Sequence, residues 1–323
     1  MSSGSRPEST AAAIECTIGY RAAVQHIVVG SFTPSVLLDL ARSTGRLADQ
    51  GLEVDEVPVA SSPAQFRSLL AGELDVALTN PDNVMAYRFI PANPLGEILD
   101  ARIVAAIDRG MGLGLYGRPD TTSADLAGAA LGVDVPTSGF ALAMYALADS
   151  LGVSRDQYEI ATLGSTPRRL EALLAGECTA TMLNAGNELI AEQRGCVRLA
   201  SGADLLSPYL GTVVAVTGDA RLDVARRLAD ALLDTAGEIT DGGLALETAE
   251  SAARRLGLDD DLAGRYVERL RDPRDGLVPD GVVDRATLET LVRLRTTYLP
   301  HPATGGGDLL DAALDEGSGL VQG

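Results

Sequence analysis

The sequence predicts an α/β fold of two Rossmann-like lobes joined by two crossing strands. Three observations carry that prediction. The first is a stretch stated twice, SSPAQFRSLLAGELDVALTNPDN at 61–83 and STPRRLEALLAGECTATMLNAGN at 165–187, at a constant offset (165 − 61 = 104). The second is strand–helix alternation through both halves, which builds parallel sheets covered by helices. The third is a pair of apolar, glycine-containing segments, 111–117 (MGLGLYG) and 209–216 (YLGTVVAV), suited to strands that cross between lobes.

The doubled stretch has the same physical content each time. Ser61-Ser62 and Ser165-Thr166 offer N-caps, and Pro63 and Pro167 suit a first helical turn. An apolar stripe ends at Gly72 or Gly176, as a C-cap would. A short apolar strand follows, Leu74–Leu78 or Ala180–Leu183. A polar loop then opens with Asn at both ends, Asn80 and Asn83 or Asn184 and Asn187. Cys178 takes the place of Leu74, which marks it as a small core residue.

In chain order, residues 1–25 read as an N-terminal extension, partly disordered, with a short strand at 14–20. Residues 26–112 form the first part of lobe 1: strand 26–31, a helix from Ser35 to about Ala48, strand 52–59, the first copy of the repeat, a helix near 84–90 and strand 99–107. Residues 113–212 form lobe 2, with strand 130–135, a long helix to about Leu151, strand 158–163 and the second copy. Residues 213–300 complete lobe 1 through helices at 219–240, 246–256, 259–270 and 283–296. Residues 301–323 read as a flexible tail.

The totals narrow the function. A length of 323 residues suits about two domains. A net charge of −19 repels nucleic acid and anionic membranes. The three cysteines, Cys16, Cys178 and Cys196, lack metal-ligand spacing, and the two histidines, His26 and His301, exclude a His-rich metal site. No metal or cofactor is expected. The N-terminus lacks a basic region followed by an apolar run, and no segment is long and apolar enough to span a membrane. As written, the chain is expected in the cytoplasm, and in the periplasm or outside the cell only if a signal was removed.

In open α/β sheets the ligand sits at the carboxyl ends of the strands. The cleft candidates are therefore Phe32, Thr33 and Ser35, then Ser61 and Ser62, then Thr79, Asn80, Asp82 and Asn83 in lobe 1. In lobe 2 they are Asp134, Thr137, Ser138, Gly139 and Phe140, then Ser165 and Thr166, then Asn184 and Asn187. Four helix N-termini, near Ser35, Ser62, Ser138 and Thr166, favour anionic ligand groups. Asp82 and Asp134 could bind an amine or act as bases, and are equally readable as loop carboxylates or caps. Arg21 and Arg118 read as surface arginines, and His26 as non-catalytic.

The stretches LARSTGRLADQGLEVDEVPV (40–59), LLAGELDVALTNPDN (69–83), LAGAALGVDVPTSGFAL (126–142) and LLAGECTATMLN (173–184) resemble the type 2 periplasmic solute-binding proteins. The branch is that of the nitrate, taurine and alkanesulfonate binding proteins and the thiamine-pyrimidine proteins. The resemblance covers roughly 26–216 and is specific for fold, not ligand. The branch's export signal is missing, and its usual Gly-Tyr-Phe is Gly45-Arg46-Leu47 here.

The resemblance implies a protein that closes two lobes on a small polar or aromatic, anionic metabolite, by hinge motion. It would serve an importer, with an ABC permease as partner, or act as an intracellular carrier, as monomer or dimer. Cytoplasmic relatives of the fold include pyrimidine synthases, dehydratases, decarboxylases and a sulfinate desulfinase, so a lyase-type enzyme is the alternative. The desulfinase's cysteine follows the first strand, where this chain has Phe32-Thr33, and the pyrimidine synthases' His-rich cluster has no match. The binding reading is preferred.

Overall fold

The computed structural model describes Met1 and residues 24–322. The strand expected at 14–20, with Cys16 and Arg21, lies outside the described residues. Two five-stranded sheets dominate. The first contains β1 (Gln25–Ser31), β2 (Leu52–Pro58), β3 (Val76–Thr79), β4 (Ala101–Asp108) and β10 (Thr212–Thr217), in the order β2-β1-β3-β10-β4. The second contains β5 (Gly114–Gly117), β6 (Ala130–Val133), β7 (Glu159–Thr162), β8 (Ala180–Leu183) and β9 (Val197–Ser201), in the order β7-β6-β8-β5-β9.

The two orders are one pattern built twice. The repeat's strands, β3 and β8, hold the central place in each sheet. The sheets are mixed rather than parallel, because β10 runs antiparallel to β3 and β4, and β5 antiparallel to β8. Each of these strands enters its lobe from the cleft side, so it must run against its neighbours. The segments expected to cross therefore each belong to one sheet. The passages between lobes are the connections 109–113 and 206–211.

The helices follow the sequence pattern closely. They are α1 (Val36–Ser43), α2 (Arg46–Asp49), α3 (Ser62–Ala71), α4 (Pro81–Phe89), α5 (Gly139–Ser150), α6 (Thr166–Ala175) and α7 (Asn187–Gln193). After them come α8 (Gly202–Leu205), α9 (Leu222–Thr240), α10 (Ala245–Leu256), α11 (Asp260–Arg271), α12 (Arg285–Tyr298) and α13 (Leu309–Leu314). The helix expected from Ser35 to Ala48 is broken in two where Gly45 takes φ 85°. Gly72 and Gly176 end α3 and α6 in the left-handed conformation, as the repeat required.

The lobes share a core. One apolar cluster runs from Phe66 and Tyr87 in lobe 1 through Leu131 and Met144 in lobe 2 to Leu291 and Leu320 near the C-terminus. Helix α12 makes this possible, since it packs on both α4 and α5. The tail expected to be flexible is packed. Leu309 and Leu320 are buried, and Ile103 donates its amide to Leu320 O (2.7 Å) and accepts from Gln322 N (2.9 Å). Its few apolar residues form a stripe that seals the α4–α12 face. Among the described residues, no helix is long and apolar enough to cross a membrane.

Candidate functional site

The carboxyl ends of β1, β3, β6 and β8 meet across one cleft with about 80 Å³ of free space. Eleven of the residues expected there line it. Phe32, Thr33 and Ser35 come from the turn after β1, and Thr79, Asn80 and Asn83 from the end of β3 and the start of α4. Asp134, Ser138 and Phe140 come from the turn after β6, with Thr166 and Asn184 from the second repeat.

The other seven hold the frame instead. Ser61 caps α3, accepting from Ala64 N (3.3 Å), and Ser165 occupies the N-cap position of α6. Ser62 is buried beside the Tyr87 hydroxyl. Asn187 donates to Asn184 O (3.0 Å) and reaches Thr33 Oγ1 across the cleft (3.5 Å). Asp82, a candidate base, is buried in a two-point ion pair with Arg295 (2.7 and 2.5 Å), which also donates to Thr137 O (2.9 Å). Gly139 approaches so closely that a Cβ there would stand 2.0 Å from Asn80 Oδ1.

Three features of the cleft went unread in the sequence. Arg169 is buried and lines the cleft. It donates to Met182 O (3.1 Å), Gly164 O (2.7 Å) and Thr166 Oγ1 (3.0 Å). Its repeat partner Gln65 donates to Leu78 O and Gly30 O (3.1 and 3.0 Å). Under the same offset Met182 matches Leu78, and Asp134 matches Gly30. A buried Arg beside an Asp thus replaces a Gln beside a Gly, and the alignment of the two copies held that signal. Asp108, at the end of β4, is fully buried. Met111, Tyr266, Leu270 and Leu277 add an apolar wall from the hinge and the helical return.

Burial governs the electrostatics. It pushes the Asp108 carboxyl up to about 6, aided by the nearby negative Asp275, while Thr212 and the Gly110 amide oppose it. Asp134 is likewise raised by burial, against the pull of Arg169 and the Ser138 hydroxyl bonded to it. The backbone is also unusual at this spot. Met111 (φ 48°) and Ala185 (φ 53°) both adopt left-handed conformations that side chains disfavour, and Ala185 N donates to Met111 O (2.9 Å). Both residues line the cleft.

Two of the four helix N-termini expected to receive an anion are answered from within, while α6, at Thr166, has no side-chain cap. At α1, Glu56 Oε1 accepts from Ser35 N (2.7 Å) and Ser31 Oγ (2.6 Å), with Arg255 on its other oxygen. At α5, Asp134 accepts from the Ser138 hydroxyl, and the Gly139 amide is bound by Asn83 Oδ1 (3.2 Å). His26 lies outside the cleft, exposed and bonded to Asp55 (3.0 Å), and Arg118 is exposed. Cys178 and Cys196 are buried in a separate small cluster. Among the described residues no group of His, Cys, Asp and Glu is placed to hold a metal.

Solved structures share this two-sheet, one-cleft arrangement. An alkanesulfonate-binding protein from Xanthomonas axonopodis pv. citri, bound to MOPS, superposes with a TM-score of 0.67 at 15% identity, over 87% of this chain and 96% of that one. The chain has the type 2 periplasmic-binding-protein fold. The ligand-binding component of an ABC-type import system from Staphylococcus aureus, with zinc bound, gives 0.68 at 15%, over 90% and 99%. A Candida albicans protein described as defining a new family with the generic periplasmic-binding-protein fold gives 0.68 at 16%, over 92% and 96%. No protein-family model matches the chain, and no curated protein matches its sequence. Within this binding-protein fold, the cleft lies between the lobes, where the doubled stretch brings its two polar loops together.

Proposed function

We propose that the chain is a solute-binding protein that closes its two lobes on a small metabolite held in the cleft. One observation carries this reading: polar residues from equivalent loops of both lobes line a single narrow cleft floored by strained hinge residues. Concave, mostly apolar sites with a few converging polar groups are the usual form of small-molecule sites. The apolar wall of Phe32, Met111, Tyr266 and Leu270 suits an apolar or aromatic body. The import-system relatives support the same reading and make an ABC permease the natural partner.

The described residues lining the cleft include no cysteine, histidine or lysine, so nucleophile–base chemistry of the kind those residues supply has no members there. Asp82, one of the two candidate bases, is committed to Arg295. Native mass spectrometry of the full chain purified from its own cells tests the proposal. A bound small molecule, released unchanged after long incubation, supports binding. Turnover of that molecule, lost in Asp134→Asn, overturns binding in favour of the lyase reading.

A further inference from the structure

The cleft engages its own amide and guanidinium donors and leaves one buried carboxylate oxygen unpartnered. Its obvious donors are all engaged: Asn80 Nδ2 with Tyr209 Oη (3.0 Å) and Gly211 O (3.1 Å), Asn83 Nδ2 with Thr79 Oγ1 (3.3 Å), and Asn184 Nδ2 with Gly110 O (3.1 Å). Each nitrogen of Arg169 also has a protein acceptor. Asp108 is different. Its Oδ1 accepts from Gly110 N (2.8 Å) and Thr212 lies close enough to steady the carboxyl, but Oδ2 is buried in the cleft wall with no hydrogen bond of good geometry. A buried, unanswered carboxylate oxygen is strongly unfavourable unless something supplies it a proton donor or a positive charge.

The charge around it points the same way. Two carboxylates, Asp108 and Asp134, face one guanidinium, Arg169, across the lining. The N-termini of α1 and α5 already hold Glu56 and Asp134, and at α6 the Thr166 hydroxyl accepts from Arg169. A sulfonate or carboxylate would meet two buried carboxyls and a guanidinium whose nitrogens are already engaged. An ammonium group would meet a waiting acceptor.

Resting on the solute-binding reading above, we propose that Asp108 Oδ2 receives the ammonium group of an amine ligand whose apolar body lies against Phe32, Met111, Tyr266 and Leu270. The ligand class is a small amine with an aromatic or aliphatic body, not the anionic solute that the helix N-termini led the sequence reading to expect. Asp108 sits at the first passage between the lobes, so the ammonium also ties the ligand to the hinge.

Four probes with one benzyl body and different heads test this by calorimetry on the full chain: phenethylamine, phenethyl alcohol, hydrocinnamate and phenethyl sulfonate. The expected result is that phenethylamine binds roughly tenfold or more tightly than the other three, a charge-assisted contact against none. Asp108→Asn keeps an oxygen for Gly110 N and is expected to erase that preference. The comparison among probes in the unaltered protein stands even if that variant fails to fold. Tighter binding of hydrocinnamate or the sulfonate overturns the amine assignment while leaving the binding reading intact. A preference for the amine that survives in Asp108→Asn overturns it too. Binding by none of the four overturns the amine assignment, and the binding reading is then judged separately by the co-purified ligand.

Discussion

Arg295 on α12 grips Asp82 on α4 through both carboxylate oxygens, at 2.7 and 2.5 Å, and spends a further contact on Thr137 O at the mouth of α5 (2.9 Å). One side chain thus ties α12 to lobe 1 and lobe 2 at once. Both partners are almost fully buried, at 4% and 1% side-chain exposure. Removing one member leaves the other charged and unanswered. Arg295→Ala is expected to destabilise the protein by about 3–5 kcal/mol. The double variant Arg295→Met with Asp82→Leu should recover a large part of that loss, as read by denaturant unfolding.

The close approach at Gly139 makes a steric prediction. Asn80 Oδ1 cannot swing away from an added methyl, because Asp82 N donates to it (3.0 Å) and the amide's other end is bonded into the hinge. Gly139→Ala is expected to force the lobes apart. The variant should lose about 1–3 kcal/mol of stability and show a larger radius of gyration in small-angle scattering.

Glu188 links stability to pH. It is fully buried on α7, with Oε2 accepting from Gly186 N (2.8 Å) and Arg269 of α11 3.8 Å away. Burial pushes its carboxyl from the ordinary 4.5 up to about 8, with Arg269 pulling the other way and Glu192 adding to the rise. The folded chain therefore holds this proton through a range where the unfolded chain has released it. Stability should fall as pH rises from about 4.5 to about 8, and then level off. Asp108, raised from 3.8 to about 6, adds to the same slope in its lower part. Glu188→Gln should flatten the profile and stabilise the protein at pH above 8 by on the order of 1–3 kcal/mol, measured by urea unfolding across pH.

The packed tail predicts that trimming is harmful. Deleting 301–323 strips buried Leu309 and Leu320 from the α4–α12 face and removes the pairing of Ile103 with the tail. Two buried leucines alone suggest a loss of at least about 3 kcal/mol, checked by the thermal midpoint of the truncated chain.

Much of this arrangement was legible because the chain states it twice. The offset between Ser61 and Ser165 placed α3 on α6 and β3 on β8, and their caps at Gly72 and Gly176 followed from local chemistry. The cleft's rim was legible for the same reason, since Thr79, Asn80, Asp134 and Ser138 sit at strand ends. What escaped was long-range. Asp82 points to a helix more than two hundred positions away, so nothing near it in sequence announced Arg295. Arg169 drew no notice in its helix, although its equivalence with Gln65 places it beside Asp134. Asp108 fell just past the strand expected at 99–107, and only the fold shows that this strand ends in the cleft. The mixed sheets were missed because strand direction depends on which lobe the chain has just left.

The central claim is a ligand held between two lobes. Hydrogen exchange on the full chain, with and without a protein-free metabolite extract of its own cells, tests it most directly. The account predicts that amides at 79–83, 138–142 and 184–187 slow together, since those loops face one another across the cleft. Protection confined to one lobe, or none at all, would contradict it.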